Sequence, residues 1–423
     1  MKIKPSLPSL YAATISPSCK EGVFFLLYIL TNICLAPISA QKDHWLLRLQ
    51  CKDNVYLELP VKLETNKITI PAYPFAIHYV SDFKSNQDSI YFSTSIYQNL
   101  FALKKQDTQT YSGVWIKYAS NTKQYQLPCT LQTYQPIPPD TSAMQSFPHQ
   151  WEIHLYNQTK NYTAIGTFRY YTHSERPHLS GSIATPYGDL GHLNGYIKND
   201  SLFLSSFNGS FATHLQAKIF SSKPYHIDSL KGIIYYGSWS TEIFKALPNN
   251  KKIVLHNEIP LNELLVNPSF TLNPLWKDID GNNLTLMAQK PLILLIMGTW
   301  CPNCADENKL FSEWYNSLSP KFQIIALSVE RTQNREKAIE LLKKYKQKLN
   351  IPFPIVLLSE NGNTPPFNLF PELTQIPAFP TTIYFDKQHR PYKATMGFNG
   401  PSTHELYQQT QQHIQTILQE LSP

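Results

Sequence analysis

The stretch MGTWCPNCADEN, residues 297–308, decides how the C-terminal part of this chain reads. It follows the apolar run PLILLIM (291–297), a pattern expected of a strand buried on both faces. Beyond it, NCADENKLFSEWYNSL places Leu310, Phe311, Trp314 and Leu318 on one helical face. Pro302 suits the first helical turn. Cys301 therefore falls at a helix N-terminus, where unpaired N–H groups and the helix dipole stabilise a thiolate. Cys304, one turn inward, is placed to attack a mixed disulfide formed on Cys301.

Two cysteines at this spacing can hold a metal, staple a loop or exchange electrons. A structural zinc site needs four ligands, and residues 255–423 carry one CxxC and no histidine pair at ligand spacing. A disulfide across two residues closes too small a loop to stabilise much through chain entropy. Redox chemistry is the use that fits, with no metal and no cofactor beyond the cysteine pair.

Outward from this stretch, strands and helices alternate. FQIIALSV, FPIVLL, TTIYF and YKATMGF read as strands. QNREKAIELLKKYKQKL, with Ile339, Leu342 and Tyr345 at helical spacing, and STHELYQQTQQHIQTILQEL read as helices. FTLNPLWKDIDGNNLTL reads as a hairpin turning at Asp280-Gly281. The pattern predicts an α/β sheet with some parallel pairs over residues 268–423. Upstream, residues 44–250 carry alternating β-branched and aromatic runs such as VYLELPVKLE and YTAIGTFRYYT, with Gly188, Gly195, Gly209 and Gly232 at expected turns. They predict one all-β antiparallel domain, sandwich- or barrel-like, with TYQPIPPDTSAMQSFP as an aperiodic connector inside it. STEIFKALPNN reads as a short helix or turn, and residues 251–267 as a linker. The expected architecture is thus two-domain, all-β followed by α/β.

At the N-terminus, Lys2, Lys4 and Lys20 precede the apolar segment Val23–Ala36, and PISA follows. This is the pattern of an export signal over residues 1–40, cut after Ala40, with retention as a membrane anchor as the alternative. The expected location is the periplasm or cell envelope. The net charge of +7 comes from lysines interleaved with acids rather than gathered into a patch, which argues against a nucleic-acid partner. Of six cysteines, Cys51 and Cys129 also lie outside the signal and the CxxC. In an oxidising compartment they could pair, or remain two buried thiols.

GTWCPNCADE, followed at residues 376–386 by IPAFPTTIYFD, resembles the thioredoxin-like domain of the TlpA/ResA group of extracytoplasmic thiol–disulfide oxidoreductases. The shared features are Trp300 before the first cysteine, the CxxC, Glu307 three residues after Cys304, and Pro-Thr-Thr before an apolar strand. The resemblance spans residues 268–420 and implies a thioredoxin-like fold. It implies that Cys301 and Cys304 form the redox-active disulfide, and that Glu307 exchanges protons with Cys304. It also implies that Pro380 is a cis-proline presenting the backbone of Phe379 to an extended substrate, and that Trp300 shapes an apolar rim. The stretch TPYGDLGHLNGYIKNDSLFLSSFNGS (185–210) is similar to the β-rich domain of larger TlpA-family members, which usually carry Asp in place of Asn208. Asn308-Lys309 departs from the hydrophobic-proline pair common in the group.

The resemblance implies a disulfide reductase, since Asn303 is uncharged and stands where strongly oxidising relatives carry histidine. Its partners would be oxidised exported proteins, apocytochrome c cysteines among them, and a membrane thiol electron donor. A thiol peroxidase on the same scaffold is the alternative, although Thr299 is two residues before Cys301 and the PxxxTxxC pattern is missing. A glycan- or protein-binding envelope protein with an accessory redox domain is a third reading, resting on the aromatic-rich strands.

Overall fold

The computed structural model describes residues 44–422 apart from short stretches at 65–66, 71–78, 95, 119–123, 136–137, 157–160, 173–176, 225, 252–256, 270, 273 and 361–366. The expected signal or anchor over residues 1–40 lies outside the described residues. Where one β domain was expected over residues 44–250, two barrels stand in sequence, each around its own apolar core.

The first barrel is an eight-stranded antiparallel meander from Trp45–Lys52 to Gln124–Thr133. Its last strand pairs back onto its first, Leu47 facing Leu131 and Leu49 facing Cys129. Closure leaves no free sheet edge. Alternation sends Leu57, Leu59 and Val61 inward, where they meet Phe92, Phe101 and Trp115. Cys51 and Cys129 are both buried here as free thiols, so the disulfide considered for them is not formed. Cys129 faces Leu49, and Cys51 sits two residues further along at a β-bulge. Diagonal neighbours are about 7–8 Å apart, beyond the reach of a disulfide without backbone movement.

The connector contains a short helix, Thr141–Gln145, capped by Asp140, whose Oδ1 accepts from the Ala143 N–H at 3.0 Å. The second barrel then runs from Gln150–Tyr156 to Ser240–Pro248, and these two strands pair to close it. STEIFKALP is therefore the closing strand rather than a helix or turn. Its Glu242, Phe244 and Ala246 point inward while Ile243 and Lys245 face out, a period of two that its helix-compatible residues mask. Gly195 and Gly232 lie within strands, not turns, and a Cβ at either would strike the facing strand's backbone. Gly209 does occupy a bend, and Gly188 opens the short strand Gly188–Asp189 directly after the turn at 186–187, both with positive φ.

In the C-terminal domain a five-stranded sheet has the order Ile355–Ser359, Gln323–Val329, Leu292–Met297, Thr381–Phe385, Pro391–Met396. The first three are parallel and the last two run antiparallel to their neighbours. Every residue of Leu292–Met297 is buried, as the apolar run requires. The helices Pro302–Leu318, Arg335–Lys348 and Glu405–Leu421 contribute to one core with Ile293, Leu295 and Met297. On the other sheet face, Leu292, Leu294 and Ile296 meet Trp276, Phe367 and Phe370. Residues 257–265, expected as linker, belong to this second layer: Ile259 N–H donates to Ala394 O at 3.0 Å, and Leu264 and Leu265 are buried. Apolar residues at 259, 264 and 265 find a sheet face to cover, so this part of the segment is fixed in place.

Candidate active site

Cys301 caps the helix Pro302–Leu318 with extended backbone, and its Sγ accepts the Cys304 N–H at 3.2 Å. The cap leaves the sulfur at the positive end of a 17-residue helix, where negative charge is favoured. The two cysteines form a disulfide with Cα atoms 5.3 Å apart. Cys301 Sγ lies 3.5 Å from the carbonyl oxygen of Phe379, and the Phe379–Pro380 peptide is cis. The cysteine pair and the loop before Thr381–Phe385, far apart in sequence, thus meet as adjacent strand ends.

Trp300 stacks edge-on against Phe379, with ring centroids 4.9 Å apart, and its indole N–H donates to Val329 O at 3.0 Å. The Arg331 guanidinium lies over the indole, 3.3 Å from the ring centroid. Beneath this loop is a buried carboxylate, Glu330, that sequence reading does not single out. It accepts from Thr299 N–H at 2.9 Å, Thr299 Oγ1 at 2.7 Å and Ser328 Oγ at 2.7 Å. Burial raises its pKa while these three donors oppose the shift. The bonds fix the backbone that carries Trp300 into Cys301.

Glu307 follows Cys304 by three residues, on the same helix face, and is 3% exposed. Thr382 Oγ1 donates to its Oε1 at 2.8 Å, and Oε2 has no hydrogen-bond partner. Burial pushes Glu307 up to about 8, with the Thr382 bond opposing. The carboxyl group is thus mostly protonated near pH 7, with an ionised fraction that grows as pH rises toward 8. Asn308, at the departure from the TlpA/ResA pattern, is buried and donates to the Tyr345 hydroxyl at 3.1 Å, and the helix continues without interruption.

The second barrel reaches this site, which local sequence patterns do not signal. Asn303, between the cysteines, donates through Nδ2 to the carbonyl of Asp189 at 3.3 Å. The Asp189 carboxylate accepts from Gly400 N–H at 2.6 Å and Gly191 N–H at 2.7 Å. Burial and the neighbouring Asp189 carboxylate push Asp306 up to about 7. Ser210 Oγ donates to Trp300 O at 2.7 Å. The turn holding Ser210 is organised by Asn208, whose Oδ1 accepts from Ser210 N–H at 3.0 Å and Phe211 N–H at 2.7 Å. An amide oxygen serves here as a carboxylate would, so Asn in place of the usual Asp keeps the turn. The first barrel supports the same turn from behind through Asn99 Nδ2, which donates to Gly209 O at 2.8 Å. Among the described residues, no group of three or more His, Cys, Asp or Glu is placed to hold a metal ion.

Residues 266–390 match the AhpC/TSA family. No curated protein matches the chain. Among solved structures, a DsbF homologue from Corynebacterium diphtheriae aligns at 22% identity over 41% of this chain and 96% of its own, with a TM-score of 0.27. StoA from Bacillus subtilis aligns at 22% identity over 32% of this chain and 92% of its own, with a TM-score of 0.24. A thiol-disulfide isomerase from Corynebacterium glutamicum aligns at 14% identity over 37% of this chain and 98% of its own, with a TM-score of 0.29. The C-terminal region is thus a thioredoxin-like domain whose residues 266–390 match the AhpC/TSA family, with Cys301 and Cys304 as its cysteine pair at CxxC spacing.

Proposed function

We propose that the protein is a thiol–disulfide oxidoreductase of the cell envelope that reduces disulfides of exported proteins. The observation that carries this reading is Cys301 Sγ at the helix N-terminus, accepting the Cys304 N–H and facing the Phe379 carbonyl. In the reduced enzyme the Cys301 thiolate attacks a substrate disulfide. One substrate sulfur leaves as a thiol and a mixed disulfide forms. Cys304 then loses its proton to ionised Glu307 and attacks Cys301 Sγ, releasing the second substrate thiol. Two electrons pass to the substrate, and the enzyme is left with the Cys301–Cys304 disulfide. A membrane dithiol carrier returns two electrons and restores the pair. Trp300, Phe379 and Pro380 form the docking surface, on which an extended substrate backbone bonds beside Cys301.

The reducing direction is supported by Asn303, which brings no charge to stabilise the Cys301 thiolate beyond the helix terminus. Candidate substrates are apocytochrome c cysteines, which must be reduced before haem is attached, and wrongly oxidised envelope proteins. The test is Cys304→Ser in cells: it should accumulate mixed disulfides with exported proteins, and these should vanish when Cys301 is also replaced. Adducts that survive loss of Cys301, or a reduction potential in the range of strong oxidants, would refute the proposal.

The AhpC/TSA match also admits a thiol peroxidase. The threonine nearest Cys301, Thr299, is committed to Glu330 through its hydroxyl at 2.7 Å, which disfavours its use toward a peroxide. Peroxide consumption by Cys304→Ser as fast as its disulfide exchange would reverse the preference.

A further inference from the structure

Cys301 is only 4% exposed and Cys304 fully buried, although a dithiol must meet the sulfur of another molecule to react. The second barrel lies against the residues on either side of Cys301. Its turn at Tyr187–Asp189 lies against Asn303 and Gly397, and its turn at Asn208–Phe211 lies against Trp300. These are the residues flanking Cys301 and the strand end beside Pro380, whose carbonyl accepts from Gly397 N–H at 2.8 Å.

The contact is built for close approach. Glycine is sparse in this chain, 15 of 423 residues, yet three glycines sit where the barrel and the α/β domain touch. A Cβ on Gly188 would run into Asn303 Nδ2, one on Gly397 into the backbone of Tyr187, and one on Gly400 into the Asp306 carboxylate. Gly188 and Gly397 also have positive φ. Away from the sulfurs, Glu405 at the start of the last helix pairs with His149 at 3.1 Å and with Arg169, both from the second barrel.

We propose that the two turns of the second barrel, Tyr187–Asp189 and Asn208–Phe211, are a gate that fills the docking face of the dithiol and must lift before a protein disulfide reaches Cys301. The proposal rests on the reading of Cys301 as the attacking thiol. The gate selects substrates: a partner able to compete for Trp300 O and the Asn303 amide displaces the turns, and a protein without such groups is excluded. The two turns themselves are held to the cysteine loop and its neighbours by hydrogen bonds, Asn303 to Asp189 O, Gly400 N–H to the Asp189 carboxylate and Ser210 to Trp300 O, while Ile165 and Ala184 pack on Leu406 further off and Phe207, beside the second turn, anchors the barrel in the first barrel's core.

The test uses the reduced full-length protein and the rate at which Cys301 is alkylated, with the labelled residue located by mass spectrometry. Iodoacetamide and a polymer-bearing maleimide serve as small and bulky probes. Ser210→Ala removes the bond to Trp300 O, and Arg169→Ala loosens the barrel at a point remote from the sulfurs. Losing one hydrogen bond is expected to raise the open fraction about five- to tenfold. Both variants should therefore label faster with both probes, with a parallel gain in reduction of a protein disulfide. Rates equal to the wild type in both variants would overturn the gate. Failure of the underlying reading gives a different pattern: labelling accelerates, but on Cys304, or without any gain in disulfide reduction.

Discussion

Glu307→Gln separates the carboxyl group's charge from its shape. The amide oxygen of the substituted side chain still accepts from Thr382, so packing is retained and the titration is lost. In the unfolded chain Glu307 ionises near its ordinary value of 4.5, whereas burial raises it to about 8 in the folded protein. Between these two pH values the folded state holds a proton that the unfolded state has released. Stability of the wild type therefore falls as pH rises through this window, by about 1.4 kcal/mol per pH unit, and levels off above it. Glutamine carries no such dependence. The variant should match the wild type near pH 4.5 and exceed it by about 3 kcal/mol at pH 7. Native-state hydrogen exchange of the buried strand Leu292–Met297 in the oxidised protein reports opening of this domain. A stability difference that is the same at pH 5 and pH 7.5 would refute the reasoning, because it would mean that Glu307 does not bind its proton more tightly when folded. The same substitution should slow release of mixed disulfides above pH 7, where wild-type Glu307 begins to accept the Cys304 proton.

Thr382→Val removes the donor to Glu307 Oε1, so the carboxyl group should titrate still higher; the alkaline limb of the exchange rate against pH should move upward, with a stability cost of about 1–2 kcal/mol. His214, buried in the second barrel, has its pKa lowered by desolvation to about 4 from 6.5. Its unfolded form binds the extra proton, so its contribution to stability is lost as pH falls from 6.5 to 4, and acid unfolding of a His214→Gln variant should begin at lower pH than that of the wild type. Asn208→Ala strands the Ser210 and Phe211 N–H groups and should lower the thermal midpoint through a loss of about 1–2 kcal/mol, whereas Asn208→Asp, which keeps the acceptor, should leave it nearly unchanged. Glu330→Ala leaves Thr299 N–H and two hydroxyls without their acceptor in a buried site, and should lower the thermal midpoint of the oxidised protein.

The redox pair and its helix are legible in the sequence because they are local. A buried strand, a proline at the first helical turn and a stripe at 310, 311, 314 and 318 lie within one short stretch. Glu307 can be singled out by its distance from Cys304, but not its burial, which depends on Thr382 from another strand. The barrels are legible as β structure and not as two closed bodies, since closure joins Trp45–Lys52 to Gln124–Thr133 and Gln150–Tyr156 to Ser240–Pro248 across the whole length of each. Ser240–Pro248 looks helical in sequence because Glu, Lys, Ala and Leu favour helices in isolation, and only the neighbouring strands impose a period of two. The contacts of Asp189 with Gly400 and of Ser210 with Trp300 have no local signature at all. The glycines at 188, 397 and 400 are the available trace, and a glycine in sequence does not say what it makes room for.

The state of Cys51 and Cys129 bears on how electrons are counted. Both thiols lie in the core of the first barrel, and burial pushes Cys51 up to about 11 and Cys129 higher still, so neither supplies a thiolate at neutral pH. Among the described residues, one pair alone is electrochemically addressable. A redox titration of the folded protein should follow a single two-electron Nernst curve for the Cys301–Cys304 pair, with neither Cys51 nor Cys129 free to divert the mixed disulfide into an internal dead end. Burying its spare thiols in a barrel core is what would keep the proposed exchange at Cys301 and Cys304 a clean two-electron transfer.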